Sequence, residues 1–160
     1  MLCIGGQSVT QLRKRFRTGE YCQSLWHFNA TGGTVALMIG TNDAVGKHPN
    51  RDRHTPDFFK RYLSCLLKDL EKRMVQRVIL CTLPPIPKDA AANDLVVSYN
   101  QIIRELHMKM SHLTSLADVH SAFVSNAHRN IFEPDGLHPN YSGLRIINRL
   151  IIDACSRINY

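Results

Sequence analysis

Three short apolar runs constrain the fold of this chain more than anything else in it. They lie at residues 34–39 (Thr34-Val35-Ala36-Leu37-Met38-Ile39), 78–82 (Val78-Ile79-Leu80-Cys81-Thr82) and 116–119 (Leu116-Ala117-Asp118-Val119). None alternates polar with apolar, so each suits a strand covered on both faces, as in a parallel sheet. Between and after them the apolar residues recur at helical spacing. Phe59, Leu63, Leu66, Leu67, Leu70 and Met74 form one stripe. Val96, Tyr99, Ile102, Ile103 and Leu106 form a second, and Leu144, Ile147, Leu150, Ile151 and Ala154 a third. Strand and helix signals in alternation imply right-handed crossovers and a three-layer α/β/α fold around a parallel sheet. Upstream, Leu2-Cys3-Ile4 reads as a strand end, Gly5-Gly6 as a turn, and Val9, Leu12 and Phe16 as the apolar side of a basic helix.

In such a sheet, ligands bind beyond the carboxyl ends of the strands. The first run ends at Gly40-Thr41-Asn42-Asp43, where Asn42 offers a side-chain N–H to an oxyanion, or closes the strand as an Asx turn. The second run is followed by the stiff segment Pro84-Pro85-Ile86-Pro87. Thr55-Pro56-Asp57 is a helix start, with a capping hydroxyl, proline at the first position and an acid in the first turn. Ahead of the last stripe stands Glu133-Pro134-Asp135-Gly136-Leu137-His138-Pro139-Asn140. It places a carboxylate and an imidazole three residues apart in a segment made rigid by two prolines. A histidine moves protons near neutral pH, and a carboxylate on one ring nitrogen fixes its tautomer. Taken alone, the same residues make an Asp-Gly turn with an exposed histidine.

Composition narrows the function classes. The 160 residues are 44% hydrophobic and 21% charged, enough apolar material for one domain with a core. A net charge of +7 invites an acidic partner such as RNA, through Arg13 to Arg17 and Lys47 to Arg61, or is simply solvated surface. Five cysteines, an odd number without Cys-x-x-Cys, look like buried thiols of a reducing, cytoplasmic compartment rather than disulfides or metal ligands. No metal or cofactor motif is present, and no apolar run approaches a membrane span.

Ile4-Gly5-Gly6-Gln7-Ser8, Gly40-Thr41-Asn42-Asp43 and Asp135-Gly136-Leu137-His138-Pro139 resemble, in order and context, the second, third and fifth blocks of the SGNH (GDSL-type) hydrolases. The likeness spans nearly the whole chain. It implies a flavodoxin-like α/β/α esterase that needs no metal and no cofactor and acts on a small ester. By resemblance, the Gly6 backbone N–H and the Asn42 side chain are oxyanion-hole donors, Asp135 orients His138, and His138 is the general base. The family's first block, Gly-Asp-Ser with the nucleophile, has no counterpart here. Gly6-Gln7-Ser8 could be a degenerate version of it, which makes Ser8 the one candidate nucleophile, but Ser8 is better placed to cap the helix after Gly6.

The resemblance therefore carries two expectations. One is a single SGNH hydrolase-like domain over residues 1–160, shortened at its N-terminus and missing the first strand. Its hydrolysis of simple esters is weak or absent for want of a nucleophile. The alternative is a non-catalytic, RNA-binding module on the same fold, as in the SGNH-like domain of Oskar type, using the basic stretches.

Overall fold

The computed structural model describes residues 7–18, 33–46 and 53–157. In chain order the elements are α1 (Val9–Thr18), β1 (Thr34–Leu37), α2 (Thr41–Val45), α3 (Pro56–Lys72), β2 (Arg77–Cys81), α4 (Ala90–Lys109), β3 (Thr114–Ala117), α5 (Val119–Ser125) and α6 (Tyr141–Ser156). The strands form a parallel sheet in the order β1-β2-β3. Val35 pairs with Val78 across the first ladder, and Ile79 with Ser115 across the second.

Alternate residues of β2 face opposite sides, as the pleat requires. Val78 and Leu80 join a core with α1, α3 and α4. Ile79 and Cys81 join a second core with α5 and α6. Helices on both faces of a parallel sheet are the three layers that the apolar pattern implies. The run Leu2-Cys3-Ile4, on which the expected absence of a first strand turns, lies outside the described residues.

The helices form for local reasons. The Thr55 hydroxyl accepts from Phe58 N, and Pro56 stands at the first position of α3, where no intrahelical N–H is needed. Helix α3 then buries Phe59, Leu63, Leu66, Leu67 and Leu70, each worth about 2 kcal/mol of transfer free energy. Asp89, Asp118 and Asn140 cap α4, α5 and α6 with their side chains.

Four expectations are corrected. Strand β1 is not covered on both faces: Ala36 is exposed and Met38 is 42% exposed. In the second layer, α6 lies on β3 and β2, and Ala36 and Met38 stay exposed. The third strand sits two residues earlier than the apolar run, because Asp118 serves α5 as its cap instead of continuing the strand. Met74 is 69% exposed instead of lying on the α3 stripe. It adopts φ 57° just past the helix, in a reversal where Met74 N donates to Glu71 O and Val75 N to Leu70 O; Val75 takes the buried place. Cys81 is a buried thiol that burial pushes up to about 12, yet Cys155 is exposed and Cys65 only half-buried.

Candidate active site

The turn after β1 is built around a glycine where any side chain would be strained. Gly40 has φ 132°, and a Cβ there would lie 2.8 Å from the Phe59 ring and 2.9 Å from Leu83. The close approach lets the chain reverse over the core into α2, a helix of five residues. Its first turn presents Asn42 and Asp43. Asn42 Nδ2 donates to Gln7 O at 3.1 Å. That uses one of the two amide hydrogens and leaves the other for a ligand. The Asp43 side chain is fully buried. Its two oxygens accept from Val9 N at 3.0 and 3.2 Å, and Oδ1 from His54 Nδ1 at 2.7 Å. Burial pushes the Asp43 carboxyl above its ordinary range, against the pull of Val9 N–H and His54.

The segment before α6 is fixed from both ends. Phe132 and Pro139 form an antiparallel bridge, Glu133 N donates to His138 O at 2.8 Å, and Asn140 N to Ile131 O at 3.1 Å. Asn140 also donates its amide to Asn130 O and Phe132 O while its carbonyl oxygen accepts from Ser142 N and Gly143 N. One side chain thus ties the turn to the helix. Gly143 completes the fit: a Cβ there would lie 2.3 Å from Ile131 O. Inside the turn, Asp135 Oδ1 accepts from Leu137 N and His138 N at 2.8 and 2.9 Å, and Oδ2 from His138 Nδ1 at 2.6 Å. The His138 ring and these two N–H groups hold the Asp135 carboxyl far below its usual range. Among the described residues, His138 Nε2 has no hydrogen-bond partner, and the side chain is 67% exposed.

A chain of contacts links the two turns along the carboxyl rim of the sheet. Arg53, next to His54, pairs with Asp89 at 2.7 Å. Lys88, next to Asp89, donates its Nζ to Pro134 O, and its methylenes pack over Gly136. A depression of about 500 Å³ beside the turn is lined by Lys88, Asn130, Phe132, Pro134 and Asn140.

Of the residues that the sequence singles out, Asn42 and the Asp135–His138 pair lie on this rim, and Gly6 is outside the described residues. Ser8 is buried at the start of α1. Its N–H donates to Gln11 Oε1 at 3.0 Å and its hydroxyl lies 3.0 Å from Thr10 Oγ1 and 3.5 Å from Gln11 N, a reciprocal Ser-x-x-Gln cap. Sequence reasoning missed Asp43, His54 and Lys88. Asp43 stood inside a quoted motif, but its partner is eleven residues away and no spacing rule joins them. Among the described residues no group of three or more His, Cys, Asp or Glu could hold a metal. Several basic residues are already engaged: Arg13 pairs with Asp69, Lys60 with Glu105, and Arg73 lies over the Phe16 ring.

The model of the GDSL-like lipase/acylhydrolase family matches residues 2–146. The chain belongs to that family. Solved structures agree in fold. LAE5, an alpha/beta hydrolase enzyme from the metagenome of Lake Arreo in Spain, superposes with a TM-score of 0.75 at 24% identity, over 97% of this chain and 71% of that one. Axe2, an acetylxylan esterase from Geobacillus stearothermophilus, gives 0.74 at 19% identity, over 93% and 68%. A member of the lipolytic G-D-S-L family from Veillonella parvula gives 0.74 at 17%, over 96% and 77%. No curated protein sequence matches the chain. Among the described residues of this GDSL-like hydrolase no helix is long and apolar enough to cross a membrane.

Proposed function

We propose that this chain is the ester-hydrolysing domain of an SGNH-type enzyme, with His138 as general base, Asp135 as the group that orients it, and Asn42 and the Gly6 N–H as oxyanion donors. The observation that carries the reading is the 2.6 Å bond from His138 Nδ1 to Asp135. It fixes the tautomer with the proton on Nδ1 and leaves Nε2, the nitrogen with no partner among the described residues, as the basic site. The chemistry is acyl transfer. A hydroxyl attacks the ester carbonyl while Nε2 takes its proton, the oxyanion gathers N–H donors, and the imidazolium returns the proton to the leaving alcohol. Nothing in this route needs a metal or cofactor. The substrate is a small ester, and the compartment a cytoplasmic one.

No nucleophile is assigned among the 160 residues. Ser8 has the right side chain, but its hydroxyl is engaged with Thr10 and Gln11 in the α1 cap. Acyl transfer by this route needs an activated hydroxyl beside the base, so the isolated chain hydrolyses esters weakly. In serine proteases that lack a triad member, the oxyanion hole and substrate binding alone still leave ~10³–10⁴-fold over water. The test is aryl-acetate hydrolysis by the wild type, Ser8→Ala and His138→Ala. The expected result is slow turnover that Ser8→Ala leaves unchanged and His138→Ala lowers. Fast turnover abolished by Ser8→Ala would make Ser8 the nucleophile and overturn the assignment.

A further inference from the structure

We propose that Asp43 and His54 form a positioning clamp that aims the Asn42 amide. The inference rests on the reading of Asn42 as an oxyanion donor. The clamp is a closed circuit of hydrogen bonds. Asn42 Nδ2 donates to Gln7 O at 3.1 Å, so the amide points wherever that carbonyl holds it. Two residues on, Val9 N donates to the Asp43 carboxylate at 3.0 Å. Asp43 follows Asn42 directly in α2, so the segment at residues 7–9 is fastened to this turn at two points, once through each neighbour. The carboxylate that makes the second fastening is fully buried, and a buried carboxylate is stable only when its oxygens are occupied. His54 Nδ1 occupies one of them at 2.7 Å.

His54 is itself held in place. Its backbone N–H donates to Asp43 O at 3.0 Å, its carbonyl accepts from the Tyr99 hydroxyl, and its ring packs on Phe58 with centroids 4.3 Å apart. Three elements, α1, α2 and the loop before α3, therefore meet on one carboxylate. A cap for α2 or a filler for the core would need no acid here. What the acid adds is a fixed distance between the Gln7 carbonyl and the Asn42 side chain. Oxyanion donors act only at the right distance from the developing charge, so small displacements of such a donor are costly.

The test uses the whole chain with His54→Ala and His54→Asn. The asparagine amide can replace the ring N–H toward Asp43 but cannot titrate. Three quantities are read: hydrogen exchange of Val9 N–H, the NMR shift of the Asn42 side-chain amide, and kcat and KM for aryl-acetate hydrolysis. The expected result for His54→Ala is faster Val9 exchange, a moved Asn42 amide, and kcat lower by about tenfold at unchanged KM. His54→Asn restores all three. Unchanged Val9 exchange and Asn42 shift in His54→Ala would overturn the clamp. A moved Asn42 amide with unchanged kcat, in a protein whose turnover still depends on His138, would overturn its role in positioning. If turnover proves independent of His138, the functional reading fails, while the exchange and the Asn42 shift still decide whether His54 and Asp43 hold the amide.

Discussion

Asp43–His54 and Asp135–His138 are the same two side chains joined through the same ring nitrogen, at 2.7 and 2.6 Å. Their surroundings make them opposites. The Asp43 side chain is 0% exposed and His54 21%, whereas Asp135 is 45% and His138 67% exposed. Asp43 spends its oxygens on two other segments of the chain; Asp135 spends its oxygens on its own turn. Burial pushes the first carboxyl up, and hydrogen bonding pulls the second down. A buried pair that ties segments together is suited to hold geometry. An exposed pair on a rigid turn, with one ring nitrogen unpartnered among the described residues, is suited to exchange protons with a substrate. The Asp–His contact does not by itself distinguish these roles. Burial and the fate of the remaining lone pairs do.

The comparison breaks first on stability. Asp43→Ala leaves Val9 N–H and His54 Nδ1 without their partner and should cost about 1–3 kcal/mol for each donor left unsatisfied. Asp135→Ala, at an exposed site, should shift the denaturant midpoint far less. Equal losses at the two positions would contradict the division of roles.

A middle-sized effect is expected at Asn140. Its side chain caps α6 and bonds Asn130 O and Phe132 O. Asn140→Ala should cost about 1–2 kcal/mol as a lost cap. It should also loosen the turn, so that the Asp135–His138 contact weakens in NMR while Asp43–His54 is untouched. A stability loss with an intact His138 signal would show that the dyad does not depend on this anchor.

The smallest effect has opposite signs at the two acids. The folded Asp135 carboxyl lies below its unfolded value of about 3.9. Its contribution is present above that pH and fades as pH falls through the folded value. The folded Asp43 carboxyl lies above its unfolded value. Its protonated form is favoured by folding, so that contribution is lost as pH rises from about 4 through the folded value. Measured as melting temperature against pH, the gap between wild type and Asp135→Asn should therefore shrink toward acid. The gap for Asp43→Asn should move in the opposite sense between pH 4 and the raised folded value. Parallel curves would refute the opposed shifts.

The sequence makes one of these pairs legible and hides the other, for a physical reason. Asp135 and His138 fall within a single turn, so their spacing in the chain is their spacing in space. Asp43 and His54 are brought together by α2, the His54 N–H to Asp43 O bond and the packing of Tyr99 and Phe58, none of which leaves a periodic signal. A five-residue helix such as α2 is too short to show one. The layers and the parallel sheet were readable because the apolar runs and helical stripes report burial directly. The exposure of β1 was not, since a run of apolar residues says what a strand could bury and not which helix reaches it. Met74 failed for a similar reason: the stripe continued in spacing past the point where Arg73 and Val75 close the helix.

The most direct test asks which histidine is the base. Residual aryl-acetate hydrolysis would be compared in the wild type, His138→Asn and His54→Asn, each checked for folding by its denaturant midpoint. Asparagine keeps a donor in place of Nδ1–H at both positions and removes the second ring nitrogen. The expected result is that His138→Asn loses most of the residual rate while His54→Asn stays near the wild type. Loss of turnover in His54→Asn with His138→Asn unaffected would contradict it and make the buried pair the catalytic one.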